Sequence, residues 1–365
     1  MENAVVYGFS TEGYSLASRL VERRIQVHLI DETLSSAVIL RPEIAKMYPD
    51  VATLNADEPL MDAVPVKVAV SEAKYLFFAP RIRRVEDDCK MEIYSKFKDA
   101  VAHMVDGSSI ICNIPLGLGG NIQNLSLLKH VTGVEAGQGI SYYYYPLGSG
   151  QQRGIVGTVR GNTNTELIDI LDEDLVFIPM TMAEREHAIS AFSKFAKTIS
   201  KIEMYRYGAY VSDALPYTNE TFLDDMVEGL LDLQLIKDSQ DNVGHVLYLV
   251  KGGIRAIDMY IKKLVDSVKH TVREKGLKMS RTDIVVAWEV DRFSIRGDRL
   301  EVMQNLMTRL QDYTSRVEQH GTLKNFRPNR TTLVIACSKS NYEEAMARQD
   351  DMESIIIKAT PTVSV

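Results

Sequence analysis

This 365-residue chain has few cysteines, a deficit of positive charge and no long apolar run. Its three cysteines, Cys89, Cys112 and Cys337, are far apart, which excludes a disulfide framework and a cysteine zinc site. Reduced thiols are typical of a cytoplasmic protein, and we expect that location. No apolar run approaches the roughly 20 residues that span a bilayer. No basic-then-apolar leader precedes the first strand, so we expect no signal peptide.

The balance of charge excludes two classes of partner. The 42 Lys and Arg residues are outnumbered by 49 Asp and Glu residues, which gives a net charge of −7. A surface that binds a nucleic-acid backbone or an anionic membrane needs a positive excess. We therefore expect neither partner. The acidic stretches at 172–174 and 224–225 lack the spacing of a metal-binding loop, so we expect no metal.

The N-terminal residues have the layout of a dinucleotide-binding βαβ unit. A strand, a glycine-containing turn, a helix and a second strand are predicted in that order over 4–7, 8–13, 14–21 and 25–30. The free N–H groups and the positive dipole end of such a helix are suited to a pyrophosphate. The pattern predicts an NAD site, and an ordinary strand–turn–helix without ligand is the alternative.

Four residues of this unit are candidates for cofactor binding. Gly8 permits the tight turn, and Gly13 lets the helix pack closely on the strand. Asp31, 23 residues after Gly8, is placed to accept hydrogen bonds from a ribose diol. Its charge would repel a 2′-phosphate, which favours NAD over NADP. Ser10 stands where the full motif has its middle glycine, so we expect a shallow pocket of modest affinity.

The periodicity of apolar residues predicts an α/β protein in three parts. A Rossmann-like dinucleotide-binding domain with a mostly parallel sheet is predicted first, then a helical central segment, then a smaller α/β domain. Their predicted bounds are 1–180, 181–278 and 279–365. Further strands are predicted at 66–70, 75–79, 109–113, 154–158, 284–288, 332–336 and 354–357.

Two apolar stripes at helical spacing run through the central segment, over 189–202 and 254–272. Thr181–Glu184 has the form of a capping box and is predicted to begin the first of these helices. The two stripes together predict a homodimer built on the central segment. The alternative is that the stripes pack on each other within one chain.

Several segments resemble the UDP-glucose/GDP-mannose dehydrogenase family, over most of the chain. The resemblance includes the glycine turn with Asp31, and its other matching segments are 77–80, 110–117, 183–184, 285–288, 293–298 and 332–343. It implies that Pro80 and Pro115 lie beside a bound NAD. It also implies that Arg296 contacts a nucleotide-sugar or other small-molecule substrate, and that the central helix pairs two subunits.

Four catalytic or substrate positions of that family are changed in this chain. The family's Gly-Gly-x-Cys segment corresponds to 252–255, where Arg255 replaces the cysteine nucleophile that holds the aldehyde. His187 and Ala191 stand where the family has a lysine and an asparagine on its central helix. The family's Ser-Thr pair is replaced by Asn-Ile at 113–114, and its Pro-Glu pair by Pro-Leu at 146–147. A four-electron oxidation is therefore not expected. The chain is at most a two-electron alcohol/ketone oxidoreductase, and the alternative is a catalytically inactive scaffold or regulatory protein.

The remaining candidate side chains have ordinary structural alternatives. His187 has a pKa suited to a general base, or it is a surface histidine near a helix start. Arg296 could clamp a phosphate or a carboxylate through two parallel hydrogen bonds, or it is a solvated ion pair. A 6-phosphogluconate- or hydroxyacid-type dehydrogenase shares the domain order, but those families also use a lysine where this chain has His187.

Overall fold

The computed structural model describes residues 3–32, 36–83, 89–148, 154–159, 163–171, 173–206, 221–239, 245–328, 330–349 and 354–361. These residues form two compact units. The first contains 1–191, 231–247 and 293–297, and the second contains 192–230, 248–292 and 298–365. The helical stretch predicted as a separate central segment is thus divided between both units.

The first unit is built on a nine-stranded sheet in the order β4-β3-β2-β1-β5-β6-β7-β8-β9. Its central strands β2, β1, β5, β6 and β7 are parallel to one another. The pairs β2–β3, β3–β4 and β7–β8 are antiparallel. The strands are β1 Asn3–Tyr7, β2 Gln26–Asp31, β3 Ser36–Leu40, β4 Ala63–Val64, β5 Tyr75–Phe78, β6 Ser109–Cys112, β7 Ser141–Tyr144, β8 Ile155–Thr158 and β9 Val176–Pro179.

Helices cover both faces of this sheet, so its central strands β1, β5 and β6 are buried along nearly their whole length. In β1, Val5 and Tyr7 contribute to one core cluster and Ala4 and Val6 to the other, as the two-residue period of a strand requires. The helices of this part of the chain are α1 Thr11–Glu22, α2 Pro42–Met47, α3 Val51–Asp57, α4 Val66–Ser71, α5 Cys89–Val101, α6 Gly120–Thr132 and α7 Thr165–Leu171.

The second unit contains a parallel sheet in the order β11-β10-β12-β13. Its strands are β10 Asp283–Ala287, β11 Val317–His320, β12 Thr332–Ala336 and β13 Ile355–Lys358. The remaining helices of the chain are α8 Met180–Arg206, α9 Leu223–Val227, α10 Leu230–Lys237, α11 His245–Glu274, α12 Asp298–Gln311 and α13 Lys339–Ala347. Helices α8, α10 and α11 each pass from one unit to the other.

The predicted α/β class is confirmed, with a Rossmann-like parallel core and a C-terminal α/β sheet. The strand predicted at 66–70 is wrong, because these residues form α4. The N–H groups of Val68 and Ala69 donate to the carbonyl of Pro65, which begins a helix. Only Ala69 and Val70 of α4 are buried, so the apolar run covers one helical face and not a strand.

The capping box predicted at Thr181–Glu184 is also wrong. Helix α8 already begins at Met180, so Thr181 lies inside it and cannot precede its first turn. The Glu184 carboxylate instead accepts hydrogen bonds from the backbone N–H groups of Gly119 and Asn121, both at 3.0 Å. It therefore caps α6, whose own N-cap residue is a glycine without a side chain.

No helix among the described residues has both the length and the apolar composition that crossing a bilayer requires.

Candidate functional site

The sheet of the first unit reverses its strand order between β1 and β5. In open α/β sheets, ligands bind outside the carboxyl ends of the strands at such a point. Gly8 follows β1 here with a φ of +119°, a conformation that favours glycine. A Cβ at Gly8 would lie 2.4 Å from the Ala79 carbonyl oxygen and from Cα of Pro80. Gly8 thus lets the connections after β1 and β5 touch, and it brings Pro80 to the same edge.

Ser10 faces the protein interior and has no exposed surface. Its hydroxyl donates to the Ala79 carbonyl at 2.6 Å and accepts from the N–H of Gly13 at 3.1 Å. As the N-cap of α1, it uses one of the N–H groups that a helix start leaves free. The hydroxyl therefore ties the turn after β1 to the strand end at β5.

Residues Phe293–Gly297, which we call the closing segment, belong to the first unit although they follow β10 in the sequence. The N–H of Thr11 donates to the carbonyl of Phe293 at 2.9 Å. The Glu12 carboxylate, in the first turn of α1, accepts from the N–H of Ile295 at 2.8 Å. The closing segment therefore occupies the N-terminus of α1, where a pyrophosphate would bind in a dinucleotide fold.

Further contacts hold the closing segment on the same edge. The hydroxyl of Ser294 donates to Glu12 at 3.0 Å, and the N–H of Ile82 donates to the Ile295 carbonyl at 2.8 Å. The guanidinium of Arg83 donates to the Ser294 carbonyl at 3.2 Å. Through these bonds the closing segment bridges the connection after β1 and the connection after β5.

A buried carboxylate lies at the same turn. Glu32 directly follows β2 and accepts from the N–H groups of Phe9, at 2.9 Å, and Arg81, at 3.2 Å. The side chains of Arg81 and Lys96 also pair with it, at 3.3 and 3.8 Å. An entering pyrophosphate would therefore meet hydrogen bonds that are already made to Glu32 and Glu12.

Asp31 lies at the carboxyl end of β2, as the βαβ pattern predicts. Its side chain is 21 % exposed, and its Oδ1 is 4.0 Å from Nη2 of Arg81. The guanidinium of Arg81 in turn lies over the Phe293 ring, 5.6 Å from the ring centre. Asp31 thus lies at the end of β2, near a residue that contacts the closing segment. Pro115, predicted beside the cofactor, follows β6 and lines a small, partly open cavity with His187.

Arg296 is a buried ion-pair residue, with 6 % of its side chain exposed. Its Nε and Nη2 donate to the two carboxylate oxygens of Asp232 at 2.7 and 3.3 Å, and its Nη1 donates to the Leu147 carbonyl at 2.6 Å. The bidentate geometry expected of Arg296 is therefore present, but its partner is a side chain of α10. The solvated ion pair considered from the sequence is excluded by burial, and no sequence signal marked Asp232 as its partner.

His187 lies on α8 with 3 % of its surface exposed, so the alternative of a surface histidine is wrong. Burial lowers the pKa of the imidazole from 6.5 to about 4, although the charge of Asp232 acts in the opposite direction. The ring meets the Tyr144 ring edge-to-face at a centre distance of 5.4 Å. His187 is therefore neutral near pH 7 and a weaker base than an exposed histidine.

In the second unit, a segment of the chain lies at the strand ends in a similar way. The sheet order reverses between β10 and β12, and α9 lies at that edge. The N–H of Asp224 donates to the Cys337 carbonyl at 3.0 Å, and its carboxylate accepts from Nε1 of Trp288 at 2.8 Å. The N–H of Leu223 donates to the Ala359 carbonyl at 2.9 Å. Helix α9 therefore occupies the carboxyl edge of this sheet.

Comparison with solved structures relates this architecture to a known fold. UDP-D-ManNAc dehydrogenase from Pyrococcus horikoshii matches with a TM-score of 0.66 and 12 % identity, over 98 % of this chain and 95 % of that one. The fold is that of the nucleotide-sugar dehydrogenases. NDP-N-acetyl-D-galactosaminuronic acid dehydrogenase from Methanosarcina mazei Go1 gives a TM-score of 0.57 and 10 % identity, over 97 % of this chain and 89 % of that one.

UDP-glucose dehydrogenase from Pyrobaculum islandicum has the same architecture, with a TM-score of 0.54 and 13 % identity over 98 % of this chain and 86 % of that one. No family model matches this chain, and no curated protein matches it by sequence. The likeness is therefore one of fold. It agrees with the resemblance that the sequence segments indicated, and it leaves the roles of individual residues as predictions.

Proposed function

We propose that this chain keeps the nucleotide-sugar dehydrogenase fold as a catalytically inactive scaffold or regulatory protein. The observation that carries the proposal is the closing segment, which is hydrogen-bonded to the N-terminus of α1. Thr11 donates to its Phe293 carbonyl and Glu12 accepts from its Ile295 N–H, at 2.9 and 2.8 Å. The groups that would bind a pyrophosphate are thus used within the chain.

Two further N–H groups of the glycine turn support the same function. Phe9 donates to Glu32, and Gly13 donates to Ser10. The residues present therefore do not fit a dinucleotide in this conformation, because its phosphates would displace hydrogen bonds and approach two carboxylates. The absence of a cysteine in the 252–255 segment and the weak basicity of buried His187 agree with a chain that performs no hydride transfer.

Calorimetry with NAD+ tests this proposal. We expect no binding heat with the purified chain, and no NADH formation with a panel of nucleotide sugars. A nucleotide-sugar dehydrogenase assayed alongside shows that the reagents and the detection work. Saturable NAD+ binding together with NADH formation would overturn the inactive scaffold.

The second candidate is an NAD-binding protein that catalyses at most a two-electron alcohol/ketone step on a nucleotide sugar. The specific observation in its favour is that Asp31 and Gly8 lie at the strand ends where the βαβ pattern requires them. In this proposal the closing segment leaves the edge, NAD contacts Gly8, Ser10, Gly13, Asp31, Pro80 and Pro115, and Arg296 and His187 reach the substrate.

Asp31→Ala distinguishes a specific dinucleotide site from nonspecific association. If NAD+ binds, the variant is expected to bind it more weakly by about 1–3 kcal/mol, because hydrogen bonds to a charged acceptor are lost. Calorimetric titrations of wild type and variant measure the difference. Equal affinities would place the NAD+ elsewhere on the chain, and Asp57→Ala in α3 is a control that removes a similar charge away from β2.

A further inference from the structure

A small, partly open cavity lies in the first unit, apart from the turn at Gly8. It is lined mainly by side chains of β7, α8 and α10 and by the connection after β6, and it offers a space of about 10 Å³ to the centre of a water molecule. A cavity needs about 10–15 Å³ by this measure to hold one water. The polar lining residues are Tyr144, Glu184, His187 and Asp232.

His187 lacks hydrogen-bond partners within the described part of the chain. Both its ring nitrogens are buried, and neither makes a hydrogen bond there. The backbone of Ile155 is near enough to raise the pKa of the ring, but it makes no hydrogen bond of ordinary geometry. Buried polar atoms in folded proteins are nearly always bonded to protein or to an ordered water, so two unpaired nitrogens on one ring indicate a missing partner.

The charges around the cavity are already compensated. The carboxylate of Asp232 pairs with Arg296, and that of Glu184 accepts three hydrogen bonds at the start of α6 from Gly119 and Asn121. No cluster of three or more His, Cys, Asp or Glu side chains suited to a metal ion occurs among the described residues. The guest that matches this lining is therefore neutral, small, and both a donor and an acceptor.

We propose that the cavity binds one structural water molecule, hydrogen-bonded to His187 and to a carboxylate of the lining. A neutral imidazole presents one donor and one acceptor nitrogen, and a water can serve either of them while it donates to Asp232 or Glu184. The water occupies the cavity beside the Asp232–Arg296 ion pair. The inference does not depend on whether the chain binds NAD+.

A crystal structure of the full chain that resolves ordered waters tests this site directly. The expected result is a density peak inside the cavity, within hydrogen-bond distance of a His187 ring nitrogen and of Asp232 or Glu184. An empty cavity would overturn the proposal, and so would a His187 ring turned to bond a protein atom. Because this measurement uses the wild-type protein, it does not depend on the folding of any variant.

His187→Phe provides the second arm. The phenyl ring keeps most of the volume and removes both nitrogens, so the density peak is expected to disappear or to move away from position 187. His28→Phe is the matched control, because His28 is also buried in the first unit, on β2, and does not line the cavity. A peak unchanged in His187→Phe would show that the water does not depend on the histidine, and would overturn that part of the proposal.

Discussion

Arg296 and Asp232 depend on each other, because both side chains are buried and each neutralises the other. Only 6 % of each side chain is exposed. Asp232→Ala would take the bidentate carboxylate away from the buried Arg296 guanidinium, and breaking a buried ion pair in this way typically destabilises a protein by about 3–5 kcal/mol. Chemical denaturation of wild type and variant measures the loss in the free energy of unfolding.

A surface pair gives the matched control for this prediction. Arg41 and Asp62 also form an ion pair, but their side chains are 62 % and 57 % exposed. Asp62→Ala is expected to change the free energy of unfolding by no more than about 1 kcal/mol. The double variant Asp232→Leu/Arg296→Met removes both buried charges and should recover much of the loss. An Asp232→Ala loss no larger than that of Asp62→Ala would contradict the buried pair.

His187 predicts a pH dependence of stability. In the unfolded chain its pKa is near 6.5, whereas burial lowers it to about 4 in the folded protein. The unfolded state therefore binds more protons between these values, and stability falls as the pH drops from 6.5 to 4, by up to about 3 kcal/mol. Above pH 6.5 the contribution is fully present.

Denaturation curves at several pH values measure this dependence. His187→Phe cannot titrate, so its free energy of unfolding should fall less than that of wild type across the same interval. His103→Phe on the α5–β6 connection, where the histidine is exposed, should retain the wild-type slope. If His187→Phe and wild type lose stability in parallel, the buried histidine is not the group responsible.

Residues fixed by local backbone rules were predictable, and residues fixed by long-range contacts were not. Gly8 was found from its turn, and Asp31 from its distance to Gly8, because strand length and turn geometry are local. Glu32 and Asp232 were missed, since their partners Phe9 and Arg296 lie 23 and 64 residues away. No periodicity or spacing in the sequence marks such a pair.

Helix α6 depends on a carboxylate from another element. Its N-cap residue is Gly119, which has no side chain to bond the first N–H groups, and Glu184 of α8 supplies the acceptor. Glu184→Ala is expected to lower the free energy of unfolding by about 1–3 kcal/mol, because buried N–H groups lose their partner. Thermal or chemical denaturation measures the effect.

The neighbouring residue on the same helix is the control. Arg185 is exposed, so Arg185→Ala should change stability by only about 0.5 kcal/mol. Glu184→Gln keeps one acceptor oxygen and should lie between wild type and Glu184→Ala. An alanine variant at 184 as stable as the one at 185 would show that the carboxylate does not stabilise α6.

Elements with a strong apolar pattern were predicted well. The 254–272 stripe lies within α11, and the predicted strands at 284–288 and 332–336 correspond to β10 and β12. Two short elements, α4 and β11, were not predicted correctly. The apolar residues at 66–70 fit the pattern of a strand as well as that of a helix. They form α4, which begins directly after its N-cap residue Pro65. Strand β11 has an outward face of polar residues and was missed.

The stripe on α11 is core in a single chain, which changes what we expect of its substitution. Ile261 is only 2 % exposed, and a Cβ at Gly253 of α11 would lie 2.4 Å from Cδ1 of Ile199 on α8. Gly253 of α11 thus packs closely against Ile199 of α8 within one chain. Ile261→Asp should lose the cooperative unfolding transition, because it buries an unpaired charge.

The homodimer stays a proposal, and light scattering tests it. A mass near the 41.0 kDa of one chain rejects it, and a mass near twice that value supports it. Ile189→Asp refines the result, because Ile189 on α8 is 58 % exposed and its substitution should leave the chain folded. If the dimer forms through this face of α8, that variant should scatter as a single chain.

The fold class of the whole chain was predictable because strands and helices alternate repeatedly along the sequence. Strand–helix alternation specified the parallel sheets, and the resemblance to a dehydrogenase family agreed with the fold that comparison found. The assignment of 293–297 to the first unit was not predictable. It depends on bonds between residues near 11–12 and residues near 293–295, whose separation in sequence leaves no local trace.

Gly148 lies against the closing segment and limits how this sequence can change in evolution. Its φ is +106°, and a Cβ there would lie 2.2 Å from Nη1 of Arg296. A lineage that acquires any side chain at 148 must therefore move or lose the guanidinium at 296. Positions 148 and 296 are therefore expected to change together among related proteins, although they lie 148 residues apart in the sequence. Relatives that keep both residues are expected to hold the closing segment in the same place.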